Sequence, residues 1–254
     1  MRLDKALASS GLLSRKEARQ ALRAGRVQVN GLPARDGEVD PNRDEITLDG
    51  RLLTLGPVVL MLHKPAGYVT STQDPRDRTV MELVPEQYRR RVTPVGRLDK
   101  QTEGLLLLTD DGQLAHRLIS PRHRVAKVYY ARHGGQAGPE DVQAFAQGLV
   151  LADGSRCLPA LLEPLGPGES RVTVCQGMYH QVRRMLAARG LTVSYLARLQ
   201  EGGVSLGDLP KGQCRLLTPG ERQALFQPGA EFGQFSGGDP GGNRDSSGAS
   251  GDIP

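Results

Sequence analysis

Val95-Gly96-Arg97-Leu98-Asp99-Lys100-Gln101-Thr102-Glu103-Gly104-Leu105-Leu106-Leu107-Leu108-Thr109-Asp110-Asp111-Gly112 sets four leucines in a row between two polar clusters. Residues 105–108 form a continuous apolar run of the kind a central strand needs, and Asp110-Asp111-Gly112 stops it. Gly96 and Gly104 bracket a polar loop that calls for backbone conformations open to glycine. Reactive groups sit well on such a loop when a rigid strand holds it. By residue type alone, Arg97, Asp99 and Glu103 serve as salt-bridge partners as readily as reacting groups.

Upstream, Gly56-Pro57 marks a boundary, after which Val58-Val59-Leu60-Met61-Leu62 supplies a second short apolar run. Downstream, residues 125–130, 171–175 and 191–196 alternate like strands, whereas 140–149 and 180–189 have helical periodicity. The mixture predicts an α+β domain over residues 57–226, a mixed and mainly antiparallel sheet with flanking helices. From Gln227 to the end, Pro, Gly, Ser and Asp dominate, and so little apolar surface predicts a disordered tail over 227–254.

Residues 1–50 read as a separate small helical and β module. Leu3, Ala6 and Leu7 have helical spacing, and Ser14-Arg15-Lys16-Glu17 is a capping box that starts a second helix at Ser14. Ala18 and Leu22 share one face of it, Arg15, Arg19 and Arg23 another, and Gly25 ends it. Val27 and Val29 then lead to an Asn30-Gly31 hairpin turn, and residues 44–53 add further strand.

The net charge of +5 is unevenly spread. Residues 1–31 hold seven Lys and Arg against two acids, while past Phe226 four acids face only Arg244. Residues 112–135 add Arg117, Arg122, Arg124, Lys127 and Arg132 with no acid. Such basic faces suit a polyanion, because neutralising phosphates releases counterions. Cys157, Cys175 and Cys214 stand too far apart for a zinc or disulfide framework, and the histidines lack converging carboxylates, so no metal is expected. No glycine-rich phosphate loop offers a nucleotide cofactor a seat. The charged start Met1-Arg2-Leu3-Asp4-Lys5 and the lack of a long apolar stretch argue against a signal peptide or membrane span, so a cytoplasmic protein is expected.

Three ordered pieces, R-L-D-K-x-L at 2–7, S-R-x-E-A-R at 14–19 and G-R-V-x-V-N-G at 25–31, resemble the small RNA-binding domain first described in a ribosomal small-subunit protein. G-R-L-D at 96–99 followed by T-x-G-L-L-L-L-T-x-D-G resembles the signature of the RsuA-like family of ribosomal RNA pseudouridine synthases. The resemblance implies that Asp99 is the nucleophile. It implies that Tyr129, in the K-x-Y element, packs against the target base. It also implies that Arg183, in Tyr179-His180-Gln181-Val182-Arg183-Arg184-Met185, pairs with Asp99, with Arg184 as second choice. The base must leave its stack to reach Asp99, so a basic rim is expected from Arg97, Arg122, Arg124, Lys127, His180, Gln181 and Arg184. The N-terminal module would grip RNA through Arg2, Arg15, Lys16, Arg19, Arg23 and Arg26. The reaction is redox-neutral and needs no cofactor. The partner implied is ribosomal RNA in a partly assembled subunit, met by a monomer away from any membrane.

Two positions depart from the pattern: Gln176-Gly177-Met178, where an acid and a base usually flank the glycine, and Glu201, at a site usually apolar. The 109–113 and 120–123 stretches look more like the small-subunit branch. A large-subunit synthase, and a non-catalytic ribosome-assembly factor on the same modules, remain the alternatives.

Overall fold

The computed structural model describes residues 1–40, 43–53 and 55–227. Helices α1 (Leu3–Ser9) and α2 (Arg15–Arg23) form where the apolar spacing put them. Ser14 Oγ accepts from Glu17 N at 3.3 Å, and Glu17 Oε2 accepts from Ser14 N at 2.7 Å, so the capping box closes reciprocally. Ala18, Ala21 and Leu22 turn inward against Leu3, Ala6 and Leu7. Strands β1 (Val27–Val29), β2 (Leu32–Pro33), β3 (Ile46–Leu48) and β4 (Arg51–Leu52) follow in the antiparallel order β2-β1-β3-β4. Asn30 and Gly31 close the first hairpin with φ of 52° and 80°. Residues 44–53 are not one strand. Asp49 and Gly50 take the same left-handed pair of conformations, φ 51° and 75°, and fold the stretch into the β3–β4 hairpin.

The second sheet begins with β5 (Val59–Lys64). In chain order come α3 (Glu86–Arg89), β6 (Thr93–Pro94), β7 (Glu103–Thr109), α4 (Gly112–Ile119), β8 (Lys127–His133), α5 (Pro139–Gln147) and β9 (Leu161–Gly166). Then follow β10 (Glu169–Val174), α6 (Gln181–Ala187), β11 (Val193–Glu201), β12 (Val204–Ser205), β13 (Cys214–Leu216) and α7 (Pro219–Ala224). The spatial order is β13-β5-β7-β11-β8-β10-β9, with β12 on β11 and β6 on β7. Among the described residues only β7 and β11 run parallel, so the sheet is mixed and mainly antiparallel, as expected of an α+β fold. The 227–254 tail, apart from Gln227, lies outside the described residues. No helix among the described residues is long and apolar enough to cross a membrane.

β7 is buried along its full length. Leu106 and Leu108 face one core with Leu60, Leu62 and Val172, while Leu105 and Leu107 face another with Met61, Val204 and Leu217. A strand covered on both faces has no reason to alternate, which explains the unbroken leucines. Each buried leucine contributes about 1.5–3 kcal/mol by leaving water.

Two local devices shape what lies beside β7. Gly104 has φ +102°, and a Cβ there would stand 2.1 Å from the Arg198 carbonyl oxygen, so only glycine lets β7 pair with β11. Along β11, the register against β8 slips between Arg198 and Gln200. This bulge at Leu199 sets Arg198 opposite Tyr129 and Glu201 opposite Lys127, so all four side chains share one face.

Arg91 ties the two sheets together. Its guanidinium donates to Ser10 O at 3.3 Å, just past α1, and also to Gly56 O and the Asp110 carboxylate, while its stem lies against Gly11.

Candidate active site

Asp99 rides on the loop between β6 and β7, and three contacts fix that loop from behind. Lys64, fully buried at the end of β5, donates from Nζ to the carbonyls of Asp99 (3.0 Å), Lys100 (3.3 Å), Thr102 (2.8 Å) and Pro65 (3.1 Å). Burial pushes its pKa down to about 8, with Asp99 and Glu103 pulling the other way. Thr70 Oγ1 donates to Leu98 O at 2.7 Å and accepts from Leu98 N at 3.1 Å. Gly67 N donates to Lys100 O at 2.8 Å. The backbone beneath the carboxylate is therefore held on both sides.

The Asp99 side chain, 31% exposed, enters a cavity of about 650 Å³. His180 Nε2 stands 3.3 Å from Asp99 Oδ1. His180 has a left-handed backbone, φ 49°, at the start of α6, and its ring stacks on Tyr179 at 3.9 Å and 16°. Tyr179 is 76% exposed, so a bare aromatic face lies at the cavity mouth.

The deep side of the cavity is the shared face of β8 and β11. Tyr129 is 9% exposed, its hydroxyl pairs with the Arg198 guanidinium, and burial pushes its pKa up. Arg198, 2% exposed, donates from Nε to Leu105 O at 2.7 Å. Its Nη2 lies 3.2 Å from Glu201 Oε2, and Glu201 Oε1 lies 3.9 Å from Lys127 Nζ. Burial lowers the pKa of Lys127, with Glu201 opposing. Arg198 Nη2 and Glu201 Oε2 are thus buried against each other as an ion pair, and Thr102 Oγ1 is buried beside the Asp99 loop without a hydrogen-bond partner among the described residues.

Arg183, expected to pair with Asp99, is turned elsewhere in this structure. Arg183 points from α6 to the Val193 carbonyl at 3.5 Å, and among the described residues it neither lines the cavity nor forms an ion pair with Asp99. Its place one turn past His180 carries it toward β11, and His180 stands at Asp99 instead. Arg184, the second choice, is held by Asp153 at 2.5 Å and Tyr179 O at 3.4 Å, outside the cavity. Of the expected rim, Arg97, Lys127, His180 and Gln181 line the cavity. The Gln181 amide is engaged by protein, accepting from Met178 N at 3.1 Å and donating to Gln176 Oε1 at 3.1 Å. Arg122 and Arg124 are exposed on the turn before β8, outside the lining. In the N-terminal module Arg15, Lys16 and Arg23 are exposed without ion pairs among the described residues. Arg2 and Arg19 share Asp4 at 3.2 and 3.3 Å, and Arg26 pairs with Asp49.

Sequence reasoning left Lys64, Thr70, Arg198 and Glu201 without roles. The available signal was a charge inside an apolar strand: Lys64 ends Val-Leu-Met-Leu-His, and Arg198 interrupts Tyr-Leu-Ala.

Residues 58–188 match the model of the RNA pseudouridylate synthase family, and residues 1–39 match that of the S4 domain. An uncharacterised RNA pseudouridine synthase of Bacillus subtilis is 43% identical over 239 residues, covering 91% of this chain and 100% of the relative. Ribosomal small subunit pseudouridine synthase A of Escherichia coli is 40% identical, over 87% of this chain and 98% of its own. A pseudouridylate synthase crystal structure superposes with a TM-score of 0.64 at 36% identity, covering 89% of this chain and 99% of that one.

Proposed function

The chain belongs to the RNA pseudouridylate synthase family and is a pseudouridine synthase carrying an S4 domain. From that premise we propose that it converts one uridine of small-subunit ribosomal RNA to pseudouridine, with Asp99 as the nucleophile acting on a flipped-out base. The observation that carries the reading is the Asp99 carboxylate itself. It enters a cavity on a loop held by Lys64 and Thr70, across from the buried face of Tyr129. In the reaction the bond from C1′ to N1 breaks, a bond from C1′ to C5 forms, and the C5 proton leaves as N1 gains one. No atoms are gained or lost overall. A carboxylate held with little freedom to move gives up little entropy on reaching the nucleotide. Tyr129 offers the extruded base a stacking surface, and the exposed basic face of the S4 domain meets phosphates. The small-subunit target is supported by the Escherichia coli relative's name. The enzyme acts as a monomer in the cytoplasm, on a partly assembled subunit.

Tritium release from small-subunit rRNA labelled at uridine C5 tests this. Wild type is expected to release tritium, and Asp99→Asn to lose on the order of 10³-fold or more in rate while binding RNA as well. Equal release by the two proteins would remove Asp99 from the chemistry, and no release by wild type would sink the enzyme reading. Mapping pseudouridine in rRNA from a deletion strain identifies the position, and a missing large-subunit pseudouridine would move the target to the other subunit.

A further inference from the structure

Of the six tyrosines, Tyr179 alone is exposed. Its ring is nonetheless held in place. His180 stacks on one face of it, the Tyr179 carbonyl accepts from Arg184 Nη1 at 3.4 Å, and Asp153 fixes that guanidinium in turn. One residue earlier, Met178 N donates to Gln181 Oε1 at 3.1 Å and ties the loop to α6. The result is a flat aromatic surface with its second face open to solvent. A ring fixed in advance loses little freedom when a partner settles on it.

The surroundings narrow what that partner is. His180 Nε2 is 3.3 Å from Asp99 Oδ1, so a single imidazole separates the Tyr179 ring from the carboxylate. Under the proposed function the extruded uracil goes deep, to Tyr129, whereas Tyr179 stands at the mouth. Arg97 lines the same cavity, is exposed, and has no ion pair among the described residues. An aromatic face beside an arginine open to solvent suits a base and its phosphate.

We propose that Tyr179 stacks on the base of a nucleotide adjoining the extruded uridine. The strand passes the mouth as it enters and leaves the cavity, which brings a neighbouring base to this ring while the uridine occupies the deep side. Every base has a π-face, so the contact grips and aligns the strand without reading its sequence. This inference rests on the proposed isomerisation of an extruded uridine.

The test uses full-length protein and rRNA fragments free of ribosomal proteins that span the position mapped above. One fragment is intact, and two carry an abasic nucleotide immediately 5′ or 3′ of the uridine. Wild type should bind the intact fragment about tenfold more tightly than one of the abasic fragments. Tyr179→Ala should lose a similar factor on the intact fragment and nothing further on that abasic one. Tyr179→Phe, which keeps the ring, should bind like wild type. Such non-additivity marks a stacked pair, whereas a ring that only shaped the loop would weaken all three fragments alike. Losses that add on both abasic fragments overturn the proposal. So does full affinity of Tyr179→Ala for the intact fragment, which would assign the exposed ring to a protein partner instead. Tritium release by wild type from the intact fragment keeps the two readings apart: release with additive losses overturns the stacking alone, and no release overturns the isomerisation on which it rests.

Discussion

One ammonium group, Lys64 Nζ, gathers four carbonyl oxygens from two segments of chain and holds the Asp99 loop from beneath. Lys64→Met would leave those acceptors buried without a donor, at a cost of about 2–4 kcal/mol. The variant is expected to melt earlier and to lose tritium release more than tenfold; an unchanged rate would mean that the loop needs no such anchor. Its titration adds a pH signature. The folded pKa is about 8, against 10.5 for a free lysine. Between these values the unfolded chain binds a proton that the fold has released, so the Lys64 contribution to stability rises with pH across that window. The melting-temperature gap between wild type and Lys64→Met should therefore widen from pH 8 to 10.5. Turnover should move the opposite way, falling as pH passes 8 and the anchor loses a donor.

At the scale of elements, the site depends on two strands meeting where side chains would ordinarily keep them apart. Gly104→Ala puts a Cβ 2.1 Å from Arg198 O at a φ of +102°. Backbone cannot move aside as a flexible side chain can. The β7–β11 pairing should break, with a loss of about 3 kcal/mol or more and collapse of activity, read by chemical denaturation. A Gly104→Ala protein of wild-type stability would show that this junction adapts. These elements also mark how far the sequence could be read. The unbroken leucines announced β7, and Ser14 with Glu17 announced α2, because caps and burial act through neighbours in the chain. The Asp49-Gly50 turn was equally local, yet the alternation of Ile46 and Leu48 masked it. The Leu199 bulge left no such trace, since it exists only against β8. Without the bulge, Glu201 would fall on the other face of the sheet, so its place beside Arg198 was not legible. The direction Arg183 takes here, toward Val193 O, was not legible for a similar reason: adjacency in a motif fixes neither the direction of a helix nor which turn faces a cavity.

Over the whole molecule, charge and chemistry are divided between two bodies. Arg15, Lys16 and Arg23 are exposed on α2, remote in sequence from Asp99. Replacing all three with Gln should flatten the dependence of rRNA affinity on salt by about 2 to 3 units of slope. An unchanged slope would move the phosphate grip elsewhere. Between the bodies stands Arg91, whose contacts reach residues 81, 35 and 19 positions away along the chain. Under the proposed function, one body would hold RNA and the other carry the reacting carboxylate, with Arg91 among the contacts that join them.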